Sequence, residues 1–269
     1  VGMYTTYWEI IMKQFSILLL LLVAVIKPSF SSTIEEYKSA SNYIVSKIEN
    51  AKSIEEVPSV NNPDDFKHIK VASNVSILSN AEYSMEQIST LCELGNKAAM
   101  SYAHFGLKEE VDTSNHKSVV MQQTLYVMKR NALTFEKEVF NLTIFNIHCQ
   151  AAFIPKLNNF YKELPANERT EVRLQGLRGM RRSATQTMLS TISDVVNPRR
   201  SRELSLEMLD AWVKSAPSYA SIFTLEERQS MSKQIREAGD VTPRVYRDKI
   251  YIISSAFETK ECNTLCQTH

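Results

Sequence analysis

From Met121 to Phe153, apolar residues recur in alternating steps of four and three. They are Met121, Leu125, Met128, Ala132, Phe135, Val139, Leu142, Phe145 with Asn146, Cys149 and Phe153. A strand sends successive side chains to opposite faces, so this spacing cannot line one face of a sheet; it lines one side of a helix. No proline interrupts the chain between Pro63 and Pro155. The pattern predicts a helix from about His116 to Ile154, about 58 Å long at 1.5 Å per residue. Heptad spacing sustained this far also fits a coiled coil. However, Val119, Val127, Phe140, Ile144 and Ile147 are apolar and lie off the seam. A helix that is apolar on several sides belongs inside a bundle. The expected fold is therefore all-α, a multi-helix bundle with a long central helix.

The remaining punctuation agrees with helices. Six glycines and eight prolines in 269 residues are too few for the many turns of an all-β chain. Thr33-x-x-Glu36 reads as a capping box ahead of Ile34, Tyr37, Ile44 and Ile48. Asn62-Pro63-Asp64-Asp65 combines a cap, a proline suited to the first helical position, and acids that complement the helix dipole. Lys52 to Asn62 reads as a loop. Ile88, Leu91, Gly95, Ala98, Ala99, Tyr102 and Phe105 form another stripe, with small residues at 95, 98 and 99 that admit a close neighbour. Gly106 and the charged run 108–112 mark its end.

Past Pro165, Leu177, Met180, Ala184, Met188, Ile192 and Val195 mark a helix from near Asn167 to Asn197-Pro198. Ser201 caps a helix that is expected to stop before Pro217. Thr224-x-x-Glu227 opens the next, and Gly239 suits its far end. Tyr246, Ile250, Ile253 and Phe257 have helical spacing after Pro243, although Ile250 to Ile253 also fits a strand.

The apolar run Gln14 to Ile26 carries no charge and stands between Lys13 and Lys27-Pro28. It is short of the roughly 20 residues that span a bilayer. A basic residue before it and small residues after it match a secretory signal, with Ser29 and Ser31 at −3 and −1 if cleavage precedes Ser32. Glu9 fits this signal poorly, so translation is expected to start at Met12, with residues 1–11 as an upstream extension. The alternative is an uncleaved N-terminal anchor. The domain expectation is 1–31 as extension plus signal and 32–269 as one exported helical domain, with a separable helical part from about 167 as the variant. The expected compartment is the periplasm or the cell exterior. Residues 1–31 carry Lys13, Lys27 and Glu9, so the remaining chain has equal numbers of acidic and basic residues. That balance excludes a global electrostatic case for nucleic acid.

Behind an export signal, Cys92, Cys149, Cys262 and Cys266 suggest two disulfides, for which three connectivities exist. Cys92 and Cys149 each fall on the apolar stripe of their own helix. The pairing favoured is Cys92 with Cys149, stapling two helices, and Cys262 with Cys266, closing a loop in the tail. Cys262-x3-Cys266 does not have zinc-knuckle spacing.

The chain carries few signs of catalytic chemistry. No Gly-x-Ser-x-Gly, phosphate-cradling glycine loop or His-Glu-x-x-His occurs. Asp65 and His68 share a helical face, but a bundle metal site needs carboxylates from other helices too. No cofactor or metal is expected, and no family resemblance supplies one. His148 beside Cys149 is no dyad by adjacency, since neighbouring helical residues diverge by about 100°.

Between 169 and 202 every basic residue is arginine. Arg169, Arg173, Arg178, Arg181 and Arg182 are followed by Arg199, Arg200 and Arg202. Guanidinium forks suit carboxylates and phosphates. This cluster is a candidate docking face for an acidic protein or anionic lipid; the competing reading is a solvated face paired with Glu168, Glu171, Asp194 and Glu203. Asn74-Val75-Ser76 and Asn141-Leu142-Thr143 match the N-glycosylation sequon, with Leu142 on the central seam.

The functional expectation is an exported, non-enzymatic helical protein that binds another envelope or secreted protein, as an inhibitor or immunity protein, assembly factor or chaperone. The rivals are a helical hydrolase or metal enzyme assembled around His104, His116 and His148, and a peripheral lipid binder.

Overall fold

The structure, a computed structural model, describes residues 31–268. The apolar run at 14–26, the expected start at Met12, the extension 1–11 and the charged flanks of the signal lie outside the described residues. Every regular element described is a helix, and there is no strand among the described residues. Backbone contacts divide these residues into two compact units, 31–83 with 87–149 and 84–86 with 150–268.

The first unit contains α1 (Ser31–Asn50), α2 (Pro63–Ala72), most of α3 (Met85–His104), the short α4 (Leu107–Glu110), α5 (Lys117–Thr134) and the start of α6 (Glu136–Glu163). Asn62 caps α2 through Oδ1, which accepts from the Asp64 amide at 2.9 Å. Gly106 holds φ +74° at the entry to α4, a left-handed conformation that disfavours any side chain. The stripe of α1 buries Tyr37, Ala40, Ile44 and Ile48; α3 contributes Ala98 and Tyr102 to the same unit's core, and α2 contributes Ile69. At Gly95 a Cβ would meet Tyr37 Oη at 2.6 Å, Asn146 Oδ1 at 2.7 Å and Phe145 Cδ1 at 2.8 Å. The small residue expected to admit a neighbour thus admits two, from α1 and α6.

The long seam differs from expectation in two ways. First, it is two helices, because Phe135 leaves helical geometry at φ −108°, ψ 38°. Its ring lies 5.4 Å from that of Tyr102 and 6.0 Å from that of Phe105, contacts that no local pattern announces. Second, the seam holds in α6, where Leu142, Phe145, Cys149 and Phe153 are buried, but not in α5. There Val120, Val127 and Asn131 face inward, while Leu125 is 47% exposed. Asn131 explains the rotation. Its Nδ2 donates to Ala103 O (3.2 Å) and Phe105 O (2.7 Å), satisfying carbonyls at the end of α3 that have no helical partner.

The loop at 51–62 is tied down by buried acids. Asp65 accepts from Tyr43 Oη (2.8 Å), Lys47 Nζ (2.5 Å) and the Ser59 amide (3.3 Å). Glu138 accepts from the Val60 amide (2.8 Å) and Ser59 Oγ (3.2 Å), while Tyr102 Oη donates to Pro58 O (2.8 Å). Burial raises the Asp65 pKa; the hydrogen bonds from Lys47, Tyr43 and Ser59 more than offset this and hold the carboxyl below the ordinary carboxylate range.

The second unit holds the rest of α6, then α7 (Glu171–Val195), α8 (Arg202–Ala220), α9 (Leu225–Asp240), α10 (Arg244–Ala256) and α11 (Thr264–Gln267). Trp212 and Tyr219 of α8 are fully buried, their rings 4.9 Å apart. The capping box is present. Thr224 Oγ1 accepts from the Glu227 amide (3.2 Å), and the Glu227 carboxylate accepts from the Thr224 amide (2.8 Å). Two prolines expected to end helices do not. Helix α6 runs through Pro155 to Glu163, and α8 runs through Pro217 to Ala220. An interior proline costs about 3 kcal/mol, but the turns beyond it bury Leu157 and Tyr161 in α6, and Tyr219 and Ala220 in α8. Burying large apolar side chains contributes about 1.5–3 kcal/mol each. The stretch at Ile250 to Ile253 is helical, with Ile250 and Ile253 buried and Ile252 outside. Gly239 lies within α9, where a Cβ would meet Tyr251 Cε1 at 2.8 Å, so it serves helix packing and not a left-handed cap.

Candidate functional site

The arginines do not form one face. Arg181 is 4% exposed and cannot dock a partner. Its Nε donates to Ile222 O, and its Nη2 to Leu265 O and Thr268 O, all at 2.7 Å, with Glu227 at 3.5 Å. Burial lowers its pKa and the Glu227 carboxylate opposes that shift. Arg200 is also turned inward, with only 4% of its side chain exposed and Asp194 at 2.5 Å. Arg173 donates to Glu168 O at 2.5 Å and lies over the Phe160 ring. Arg178 pairs with Glu171 at 2.8 Å. Arg182, Arg199 and Arg202 are exposed. Helical spacing already carried the signal for Arg181, which stands four residues from Leu177 and three from Ala184 on the buried stripe.

A second buried guanidinium, Arg228, was not among the expected site residues. It is 1% exposed and reaches four main-chain carbonyls: Ala220 O (2.7 Å) and Phe223 O (3.1 Å) through Nε, Thr259 O (3.2 Å) and Glu261 O (2.5 Å) through Nη1. Arg181 and Arg228 thus bind the carbonyl-rich C-terminal end of α8, where cations are favoured, to the tail at 259–268. Its position three residues before Met231 on the α9 stripe was the available sign.

The exposed side of α5 is different. Tyr126 is 68% exposed, Leu125 47% and Val119 39%. Beside them is a cavity of about 340 Å³, lined by Glu110, Gln122, Gln123, Tyr126 and Val127. Glu110 is neutralised by a two-bond fork from Arg130, at 2.5 and 2.7 Å. Gln123 Oε1 is buried without a hydrogen-bond partner. An acceptor shut away from water in this state costs about 1–3 kcal/mol. The seam hides this face, because its spacing predicts Met121 and Leu125 in the interior.

The histidines do not converge on this cavity. His104 is exposed at the end of α3, and His116 caps α5 by accepting from the Ser118 amide at 3.4 Å. His68 stacks on Tyr43 at 3.9 Å between ring centroids, and Asp65 is already occupied by Tyr43 and Lys47. Among the described residues no group of three or more histidines, cysteines and acids is placed to hold a metal. Cys92 and Cys149 form a disulfide with Cα atoms 5.5 Å apart, and Cys262 and Cys266 form another at 5.3 Å. Cys149 therefore has no thiolate to offer the neighbouring His148. Among the described residues no helix is long and apolar enough to cross a membrane. No family model matches the chain, and neither a curated protein nor a solved structure is found to be similar.

Proposed function

We propose that this is an exported helical protein that acts by binding another exported protein through the outward side of α5. The observation that carries the reading is Tyr126, 68% exposed beside a cavity that it lines with Gln122, Gln123 and Val127. Tyrosine is enriched at the centres of protein interfaces, where its ring is covered and its hydroxyl finds a partner. The Arg130 fork neutralises Glu110, the charged residue in the cavity lining. The partner is accordingly a largely apolar surface bearing a hydrogen-bond group for the Tyr126 hydroxyl. Export is supported by the signal-like segment ahead of residue 32 and by two disulfides, which persist in oxidising compartments. The arginines support the reading less, since Arg181 and Arg200 are committed internally.

The test is the native mass of the protein in its own exported fraction. The wild type is expected to run as a heteromeric complex, and Leu125→Ser/Tyr126→Ser as the free chain with an unchanged melting temperature. A wild type that runs as the free chain, or as a homodimer, overturns the proposal.

A further inference from the structure

Two sequons occur in the chain, and their surroundings differ. Asn74-Val75-Ser76 lies just past α2, with Asn74 and Ser76 exposed and Asn74 in extended backbone at φ −76°, ψ 97°. Asn74 Oδ1 accepts two hydrogen bonds, from the Ser76 amide at 3.1 Å and from the Ser76 hydroxyl at 2.7 Å. Both fall on the oxygen, and neither engages Nδ2. The arrangement needs only three consecutive residues, so it forms without the rest of the fold. Asn141-Leu142-Thr143 lies inside α6, with Asn141 between Phe140 (3% exposed) and Leu142 (0%). Residues two apart on a helix diverge by about 200°, so Thr143 cannot turn its hydroxyl onto Asn141.

We propose that Asn74 is an N-glycosylation acceptor and that Asn141 is not. The inference rests on the export reading, since a protein meets the transferase only in a secretory pathway. The donor is a polyprenyl-diphosphate-linked oligosaccharide. Asn74 Nδ2 bonds to C1 of its first sugar as the C1–O bond breaks. The diphosphate leaves with the electron pair, and a base of the transferase takes one Nδ2 proton. Ser76 acts by orienting the carboxamide through Oδ1, which alanine cannot do and threonine can.

The experiment expresses the full chain in a eukaryotic secretory host, with its own N-terminus and, in parallel, behind a proven secretory leader. The secreted protein is treated with a peptide N-glycosidase, which converts a glycosylated asparagine to aspartate, and the converted residue is mapped by mass. One glycan is expected, on Asn74, retained in Ser76→Thr and Asn141→Gln and lost in Asn74→Gln and Ser76→Ala. Secreted protein without a glycan, or with its glycan on Asn141, overturns the proposal. If only the leader-bearing chain is secreted, the export reading fails, and the same mapping on that chain still decides Asn74.

Discussion

A guanidinium carries five N–H donors, and Arg181 and Arg228 spread theirs over seven main-chain oxygens at the end of α8 and in the tail. The arginine run at 169–202 was readable in the sequence, but its division was not. Whether a cation points outward depends on carbonyls up to 87 residues away, as with Thr268 O on Arg181. Gly95 is the opposite case, a residue whose small size was legible at once. Its neighbours Tyr37, Asn146 and Phe145 all lie under 3.0 Å from where a Cβ would stand. Gly95→Ala must therefore push apart α1, α3 and α6. Overpacking of this kind typically costs about 1–3 kcal/mol, more than the better helix propensity of alanine returns. A denaturant midpoint equal to or above that of the wild type would contradict this.

Helices α5 and α6 show what periodicity can and cannot carry. In α6 the seam and the off-seam Phe140 and Ile147 are all buried, so no choice between apolar faces arises. In α5 both Met121/Leu125 and Val120/Val127 form apolar stripes about 100° apart, and Asn131 binding the end of α3 selects between them. The face left outside is the candidate site, so the site was illegible for the same reason that the seam was misassigned.

Helix α2 carries a pH dependence. The Asp65 carboxyl is held below its ordinary range, so its ionised form favours the folded state. That contribution is fully present above the unfolded carboxylate value of about 3.9 and is lost as pH falls through the lower folded value. Lys47, raised by its hydrogen bond to Asp65, acts at the other end; its contribution is present below about 10.4 and is lost as pH rises through the folded value. Asp65→Asn should flatten the acid limb of the stability–pH curve and lower the neutral plateau. An acid limb identical to that of the wild type would refute the assignment.

For the molecule as a whole, the two disulfides are unequal. Cys92–Cys149 spans 57 residues of sequence and ties α3 to α6, whereas Cys262–Cys266 spans four within the tail. Loop-closure entropy gives about 4 kcal/mol for the first and about 2 kcal/mol for the second. Cys92→Ala/Cys149→Ala should therefore lower the melting temperature more than Cys262→Ala/Cys266→Ala. The reverse order would mean that the tail clasped by Arg181 and Arg228 contributes more than its loop length implies.

The sequence by itself determined that the chain is helical and where most helices start, and it favoured, without fixing, the pairing of its cysteines as helix staple and tail loop. Caps, small residues and stripes act within a few turns of the chain, and those interactions are local. Only the tertiary structure decided which side of α5 is buried, that α6 and α8 continue through Pro155 and Pro217, and that Arg181 and Arg228 point inward. Each of those outcomes is set by a partner distant in sequence, such as the end of α3, an apolar core beyond a proline, or carbonyls of the C-terminal tail. Burial and hydrogen bonding to such partners outweigh the local preference.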